Sequence, residues 1–225
     1  MKCSIKRFNK VECCAHWANA VFFGLLFLSG MVLFLGTIAA AIGHEGVAFT
    51  KIVHRVAAIP FILTVPVLLI FGTPKTTKTW LKSIFTWSKN DLIWLSRFAK
   101  EFFGGRAELP PQGKLNAGEK INSLLCVFGC GLLTISGLIM WLSSPFSSNL
   151  VLIAYAVHDM AAATVGAAVI GHSFLGLFHP EYKEALNGII HGTVSEEFAK
   201  GHHGQWYEEL AKSEETASQK SGITI

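Results

Sequence analysis

Residues 150–177 read LVLIAYAVHDMAAATVGAAVIGHSFLGL, an apolar segment long enough to cross a membrane as one helix. Two histidines in this segment, His158 and His172, are fourteen residues apart. At a rise of about 1.5 Å per residue the two imidazoles lie roughly 21 Å apart along the helix axis, and fourteen steps of about 100° return them to within roughly 40° of one face. This one helix therefore presents an imidazole near each side of the bilayer.

The composition of the whole chain is that of a membrane protein. Of its 225 residues 51% are hydrophobic and 15% are charged, whereas about a quarter are charged in an ordinary soluble domain. Long uncharged runs, counted at about twenty residues per crossing, predict four spans at 17–41, 52–73, 117–142 and 150–177. The runs are continuous rather than alternating, which favours helices over a barrel. We therefore predict an all-α integral membrane protein with a four-helix transmembrane bundle.

The distribution of Lys and Arg predicts the orientation of these spans. Residues 1–15 contain four of them and residues 74–120 contain nine, whereas residues 42–53 contain only Lys51 and residues 143–149 contain none. Because basic loops stay in the cytoplasm, we predict that both termini and the middle loop are cytoplasmic. A cleaved signal peptide is the competing interpretation of the first apolar run, but the run is longer than the roughly 7 to 15 residues of a signal core.

The chain is predicted to have one membrane domain and a polar tail. Residues 1–180 contain the four spans and a cytoplasmic loop at about 74–115, whose apolar and basic residues predict one or two amphipathic helices at the inner membrane surface. In the tail, residues 181–225, a capping box at Thr193 and Glu196 predicts a short helix. The last fifteen residues are rich in polar types, which predicts disorder, and no internal repeat is visible.

Four histidines lie within these apolar spans or at their starts. An imidazole in hydrocarbon is costly and indicates a functional site, so each histidine needs a partner. In the predicted topology His16 lies at the same inner depth as His172, and His54 lies at the same outer depth as His158. We therefore pair the two inner and the two outer histidines. Two neutral imidazoles are good axial ligands for a porphyrin iron, so the pattern predicts two stacked b-type haems.

Other interpretations of these histidines are open at this point. A membrane histidine can be a hydrogen-bonded packing residue, and each pair supplies only two of the ligands that zinc requires. A proton- or metal-coupled transporter using the histidines and Asp159 is a rival of another class; it predicts no haem and broken helices, of which Pro60 and Pro66 are the only hint. Glycines in the spans would leave room for a macrocycle or simply allow close helix contact. These are Gly24, Gly30, Gly129, Gly131, Gly137, Gly166 and Gly171.

A charged residue follows each of the two outer histidines. Arg55 comes directly after His54, and Asp159 comes directly after His158. The two charges would pair with one another, or Arg55 would meet a haem propionate. The ordinary alternative is that the long Arg55 side chain extends to the lipid headgroups.

Several motifs occur together along most of the chain. They are His16 at the start of span one, His54-Arg55 at the start of span two, Asn116-Ala117-Gly118-Glu119-Lys120 at the start of span three, the pair His158 and His172 in span four, and Gly192-x-Val194, Phe198-Ala199-Lys200, His202-His203 and Trp206-Tyr207 in the tail. In combination they resemble the cytochrome b (gamma) subunit of membrane-bound respiratory formate dehydrogenase. The chain has Phe198 where that family commonly has Trp, and Glu119 where it commonly has Gln.

This resemblance implies a membrane anchor and electron-transfer subunit in a bacterial or archaeal-type plasma membrane. Its outer haem would receive electrons from an iron–sulfur (beta) subunit joined to a catalytic (alpha) subunit, and its inner haem would pass them to menaquinone or a related quinone. The chain itself has no site for formate oxidation. The runner-up in the same class is the cytochrome b of a hydrogenase or of a thiosulfate or polysulfide reductase.

The resemblance also carries the family's quinone pocket over to Asn116, Gly118 and Glu119. The same residues at a helix start are an ordinary amino-terminal cap with an acid facing the helix dipole. In the tail, His202 and His203 point in different directions on a helix, which disfavours a metal site. We expect them to form a docking surface for the partner subunit.

Overall fold

The computed structural model describes residues 4–103, 105 and 107–221. In chain order these form strand β1 (Ser4–Lys6), helices α1 (Lys10–Phe34), α2 (Gly36–Val67), α3 (Pro74–Phe85), α4 (Lys89–Phe102), α5 (Ala117–Trp141), α6 (Ser148–Phe178) and α7 (Lys183–His191), strand β2 (Thr193–Ser195), and helices α8 (Glu196–His202) and α9 (Gly204–Ser221). A π-helical turn, Leu68–Gly72, continues α2, and a 3-10 turn, Pro180–Tyr182, precedes α7. The predicted all-α architecture is confirmed.

Four helical segments of the described chain are long and apolar enough to cross a membrane. They are Lys10–Phe34, Gly36–Gly72, Ala117–Trp141 and Ser148–Phe178. Large apolar side chains on these helices are exposed, among them Leu28 and Leu152, as is expected where lipid replaces water around the protein. The third and fourth spans agree with the predicted ones to within two residues at each end.

The first span, predicted at 17–41, begins and ends earlier than expected. Helix α1 begins at Lys10 because Asn9 caps it: the Asn9 side-chain oxygen accepts a hydrogen bond from the Glu12 N–H at 2.9 Å, and the Glu12 carboxylate accepts one from the Asn9 N–H at 2.7 Å. The helix ends where Leu35 leaves helical geometry, with ψ 100°. The Asn9 cap therefore makes α1 begin seven residues before the apolar run on which the prediction is based.

The second span also departs from its predicted bounds of 52–73. Helix α2 begins at Gly36, so the connection predicted at 42–53 is helical. Gly43 interrupts α2 with a φ of 68°, a left-handed conformation that glycine adopts without steric cost. Near the other end Pro66, which lacks a backbone N–H, comes two residues before the π-helical turn Leu68–Gly72.

The chain divides into two compact units, each described separately below. The membrane unit consists of residues 8–78 and 126–173. The loop-and-tail unit consists of residues 79–125 together with 4–7 and 174–221 of the described chain.

The membrane unit is packed around three apolar side chains from three helices. Phe23 of α1, Phe61 of α2 and Val165 of α6 form its buried cluster. Two glycines allow close approach to this cluster, since a Cβ atom on Gly129 of α5 would overlap Val165 Cγ2, and one on Gly166 would overlap a phenylalanine ring of α1. Small residues at such contacts let membrane helices associate closely. Gly129 and Gly166 therefore allow close helix contact and do not provide room for a macrocycle.

The loop-and-tail unit joins the beginning of the chain to its tail. Strands β1 and β2 pair antiparallel, with Lys6 opposite Thr193. The capping box predicted at Thr193 is therefore wrong: Ser195 caps α8, and its side-chain oxygen accepts a hydrogen bond from the Phe198 N–H at 3.1 Å. Disorder is predicted for the last fifteen residues, but α9 continues as far as Ser221, in a segment rich in the strong helix formers Glu, Lys and Ala. The prediction for residues 222–225 lies outside the described residues.

The loop is attached to α5 through one buried carboxylate. Asp91 forms a capping box with Ser88 at the start of α4 and accepts a hydrogen bond from Lys120 Nζ at 2.8 Å. Burial raises the pKa of Asp91, but the hydrogen bonds from Lys120 and Ser88 outweigh burial and hold this pKa below its usual value. Lys120 Nζ also donates to the carbonyl of Thr86, the residue after α3, at 3.1 Å. One ammonium group on α5 therefore binds both the end of α3 and the start of α4.

A valine at Gly129 is expected to destabilise the protein by about 1 to 3 kcal/mol, since its Cβ would overlap the buried, β-branched Val165. Gly131→Val is the matched control: it lies on the same helix and carries the same helix-propensity cost, and no described atom beyond the neighbouring backbone of its own helix lies within 4 Å of its Cβ position. Thermal unfolding of the purified protein in detergent measures both. Equal losses in the two variants would contradict close packing at Gly129.

Candidate functional site

Two pairs of histidines face each other within the membrane unit. The ring centres of His54 on α2 and His158 on α6 are 6.3 Å apart, with the ring planes at 67°. The ring centres of His16 on α1 and His172 on α6 are 6.1 Å apart, with the planes at 62°. The structure thus brings together the same histidines that the sequence pairs by depth.

The separation within each pair fits the two axial ligands of one haem iron. A metal to nitrogen bond of about 2 Å on each side, with about 1 Å more from each nitrogen to its ring centre, separates two opposed imidazoles by roughly 6 Å. Zinc would need about four ligands. Among the described residues no group of three or more His, Cys, Asp or Glu side chains could hold a metal ion. The donor sets therefore fit a haem and do not fit zinc.

Each outer histidine makes a hydrogen bond with a serine on the preceding membrane helix. His54 Nδ1 lies 2.8 Å from Ser29 Oγ of α1, and His158 Nδ1 lies 3.0 Å from Ser136 Oγ of α5. Both serines are buried. The two outer histidines are thus held in the same way by two different helices.

A glycine follows each serine and leaves room for the histidine ring. A Cβ atom on Gly30 would lie 3.5 Å from His54 Cε1, and one on Gly137 would lie 3.3 Å from His158 Cε1. Both glycines are among those that the sequence marks as space near a macrocycle. The serines are not predicted, although the Ser-Gly dipeptide that α1 and α5 share is the signal that could have identified them.

An apolar cavity of about 210 Å³ adjoins the outer pair. Phe27, Phe61 and other apolar side chains of α1, α2, α5 and α6 line it, together with Arg55 and Asp159. The Arg55 guanidinium carbon lies 5.9 Å from the centre of the Trp141 ring, within reach of a cation–π interaction. Arg55 therefore lies at the cavity wall, where a guanidinium can meet an anionic group of a bound ligand.

The three residues carried over to a quinone site lie at the start of α5, in the loop-and-tail unit. Asn116 and Glu119 form a capping box: the Asn116 side-chain oxygen accepts from the Glu119 N–H at 2.8 Å, and the Glu119 carboxylate accepts from the Asn116 N–H at 2.9 Å. The buried Arg7 donates from Nη2 to both carboxylate oxygens of Glu119, at 2.9 and 3.0 Å. A Cβ atom on Gly118 would lie 3.1 Å from the Trp94 ring. The capping role is present, and the quinone role stays a prediction.

His202 and His203 belong to the same unit and have different surroundings. His203 is 1% exposed, and its Nδ1–H donates to the Gly113 carbonyl at 2.9 Å. Burial lowers the pKa of His203 to about 4, although the nearby Glu119 carboxylate partly opposes this shift. His202 is half-buried, with its ring centre 4.6 Å from that of Phe198. The docking surface expected from both residues is therefore wrong for His203, which is an interior residue.

Membrane-length helices with facing histidine pairs are typical of a membrane cytochrome b. The family model described as prokaryotic cytochrome b561 matches residues 7–192 of the chain. The chain therefore belongs to the prokaryotic cytochrome b561 family. Membership implies b-type haem and a helical membrane protein, and both implications agree with the histidine pairs and the spans described above.

Similar proteins of known role are cytochrome b556 subunits of formate dehydrogenases. The cytochrome b556(Fdn) subunit of the nitrate-inducible formate dehydrogenase of Escherichia coli K12 is 25% identical over 222 residues, which cover 97% of each chain. The cytochrome b556(fdo) subunit from the same strain is 23% identical over 216 residues, 94% of this chain and 96% of the relative. The cytochrome b556 subunit of formate dehydrogenase from Haemophilus influenzae is 30% identical over 132 residues, 56% of this chain and 54% of the relative. The resemblance drawn from the motifs is thereby confirmed.

His203→Asn is expected to flatten the pH dependence of stability between about pH 6.5 and about pH 4. Unfolded chains bind a proton at this histidine below about pH 6.5, whereas the folded protein resists protonation down to its pKa of about 4. The wild-type protein therefore loses stability as the pH falls through this window, by up to about 1.4 kcal/mol per pH unit from this group. Asparagine keeps an N–H for the Gly113 carbonyl and does not titrate.

Thermal unfolding in detergent at about pH 7 and about pH 5 compares the two proteins in that window. His191→Asn is the control, because it alters an exposed histidine on α7 of the same unit. A wild-type protein and a His203→Asn variant with the same pH dependence would contradict a buried neutral His203.

Proposed function

We propose that the chain is the membrane-anchoring, electron-transferring subunit of a formate dehydrogenase complex. It binds one b-type haem between His54 and His158 and another between His16 and His172. It carries electrons from an iron–sulfur partner at the outer side of the membrane to a quinone at the inner side. The observation that carries this proposal is the separation of the ring centres, 6.3 and 6.1 Å, in two histidine pairs of one membrane unit.

The side chains of the membrane unit have distinct tasks in this function. A bound b-type haem supplies reversible one-electron transfer at its iron. Each histidine pair would hold one haem, with one imidazole from each of two helices. The phenylalanines that line the outer cavity exclude water from the haem site. The polarity of its surroundings is one factor by which a protein sets the redox potential of a metal site. Arg55 at the cavity wall offers a positive charge for a propionate group.

The orientation of the chain gives this electron transfer a direction. Lys and Arg are concentrated at the amino terminus and in the loop before α5, which favours a cytoplasmic position for both. Electrons then enter near the outer histidine pair and leave near the inner one. Because the protons for quinone reduction are taken from the cytoplasm, each turnover separates charge across the membrane.

The quinone site of this proposal lies at the amino-terminal end of α5. Asn116 and Glu119 supply polar groups there, and Gly118 keeps the helix start narrow next to the Trp94 ring. The side-chain N–H groups of Asn116 suit a quinone carbonyl, whereas the Glu119 carboxylate, which accepts from Arg7, contributes by capping the helix. We infer menaquinone or a related quinone as the acceptor.

The partners of this proposal follow from the similar proteins. Those relatives are named as subunits of formate dehydrogenases, which favours an iron–sulfur subunit and a catalytic formate dehydrogenase subunit over the partners of a hydrogenase or a sulfur-compound reductase. The family and the histidine pairs likewise favour a cytochrome over a transporter.

His54→Ala is expected to lower the haem content from two per chain to one. It removes one axial ligand of the outer pair and leaves His16 and His172 in place. Pyridine haemochrome absorption, divided by protein concentration, gives the haem content. His44→Ala is the control, because His44 is an exposed histidine of the same helix.

A wild-type protein with fewer than two haems, or a His54→Ala variant that keeps two, would contradict this assignment of ligands. The same preparation from native membranes identifies the attached chains by mass spectrometry. An iron–sulfur chain with a formate dehydrogenase supports the proposed complex. A hydrogenase in its place would overturn the choice of partner and leave the haem assignment standing.

Asn116→Ala is expected to slow reoxidation of the reduced protein by a menaquinone analogue about tenfold, the effect of losing roughly one hydrogen bond to the quinone. Asn9→Ala is a closely matched control: Asn9 caps α1 with the same Asn-x-x-Glu capping box, so both variants lose about 1 kcal/mol of helix capping. Stopped-flow absorption after reduction with dithionite follows the reaction. If both variants slow it equally, or neither does, the quinone site is not at Asn116.

A further inference from the structure

We propose that Ser29 and Ser136 are positioning residues for the outer haem. Each serine fixes the tautomer and the ring orientation of one axial histidine, and together they set the reduction potential of the haem bound between those histidines. This inference rests on the proposed function, because it takes His54 and His158 as the ligands of one iron.

Each serine hydroxyl donates its proton to a carbonyl of its own helix. Ser29 Oγ lies 2.7 Å from the Leu25 carbonyl oxygen and 3.1 Å from the Leu26 carbonyl oxygen in α1. Ser136 Oγ lies 2.6 Å from the Leu132 carbonyl oxygen and 3.4 Å from the Leu133 carbonyl oxygen in α5. A carbonyl oxygen can only accept a hydrogen bond, and a hydroxyl has a single proton to donate. Both serine protons are therefore committed to the backbone of their own helices.

The serine contacts also determine which ring nitrogen of each histidine carries hydrogen. With its proton committed, each serine oxygen can only accept at its remaining contact, which is the Nδ1 of the histidine at 2.8 Å for His54 and 3.0 Å for His158. The Nδ1 atoms must then carry hydrogen and donate it. A neutral imidazole protonated at Nδ1 has its free lone pair at Nε2, which is the atom available to bind a metal.

The same hydrogen bonds restrict the orientation of the two histidine rings. A histidine side chain has two rotatable bonds, and the hydrogen bond at Nδ1 fixes the ring on one side. The glycine after each serine limits how far a side chain extends toward the ring: a Cβ atom on Gly30 would lie 3.5 Å from His54 Cε1, and one on Gly137 would lie 3.3 Å from His158 Cε1. Each ring is thus oriented by the hydrogen bond at Nδ1 and lies beside a glycine of the same neighbouring helix.

This arrangement affects the iron as well as the ligand. A hydrogen bond donated from the far nitrogen of a metal-binding histidine increases the basicity of the metal-bound nitrogen. A more basic ligand favours ferric over ferrous iron, so the two serines lower the potential of the outer haem. Loss of such partners typically costs about 10- to 100-fold in metal affinity.

The test compares the potentials of the two haems in hydroxyl-deletion variants. Ser29→Ala and Ser136→Ala are each expected to raise the midpoint potential of the outer haem, by about 59 mV for a tenfold change in the ferric to ferrous ratio. The inner haem is expected to keep its potential. Redox titration followed at the haem absorption bands resolves the two transitions, and low-spin electron paramagnetic resonance reports the ligand orientation.

Two matched variants separate positioning from helix structure. Thr164→Val removes a hydroxyl that donates to the Met160 carbonyl at 2.8 Å in α6, the same intrahelical bond without a role in the inference. It is expected to change neither potential. Ser29→Thr keeps a hydroxyl at the same position and is expected to keep the wild-type potential, which provides a folded comparison if the alanine variant is unstable.

Each outcome decides the matter. A shift confined to the outer haem in the alanine variants, absent in Ser29→Thr and Thr164→Val, supports the inference. Two haems with unchanged potentials and unchanged resonance spectra in Ser29→Ala and Ser136→Ala would overturn it while leaving the haem assignment intact. A shift of both haems alike would also overturn it, since the serines contact only the outer ligands in the described structure. A wild-type protein without haem would instead overturn the proposed function.

Discussion

An imidazole in an apolar helix bundle must find a partner for each of its polar atoms, and this requirement shapes the membrane unit. Water is not available there to satisfy an exposed N–H, and an unsatisfied polar group costs several kcal/mol in hydrocarbon. His54 and His158 meet the requirement at Nδ1 by bonding to Ser29 and Ser136, which leaves Nε2 of each ring for a ligand. These bonds require each histidine to lie next to the preceding membrane helix, so α1 is fixed against α2 and α5 against α6. The faces left between the two helix pairs form the cavity.

The same requirement is met at two places along the chain by residues with similar spacing. The Asn-x-x-Glu capping boxes begin at Asn9 and at Asn116, and a buried serine followed by a glycine comes twenty residues later in each case, at Ser29 and Ser136. An outer histidine comes 25 residues after the first serine and 22 after the second. The outer site is thus nearly symmetric. The inner pair draws on α1 and α6 and does not follow this spacing.

Much of the fold and the histidine pairing could be predicted because both follow from periodicity and depth. The spans at 117–141 and 148–178 are bounded by polar residues and so were predicted closely. The early start of α1 depends on the Asn9 cap, and the break at Gly43 depends on a single backbone angle. A serine such as Ser29 is invisible in the pattern, since a hydroxyl bonded to its own helix looks like any other tolerated helical serine. Its role depends on a contact with a different helix.

The pairing of β1 with β2 has a consequence for how the molecule is made. Lys6 and Thr193 are 187 positions apart, and at roughly 5 to 20 residues per second a ribosome needs about 10 to 40 s to travel between them. The first described residues to be synthesised therefore wait for nearly the whole chain before they gain their strand partner. Since β2 follows α6, this small sheet closes only after the four described membrane spans have been synthesised.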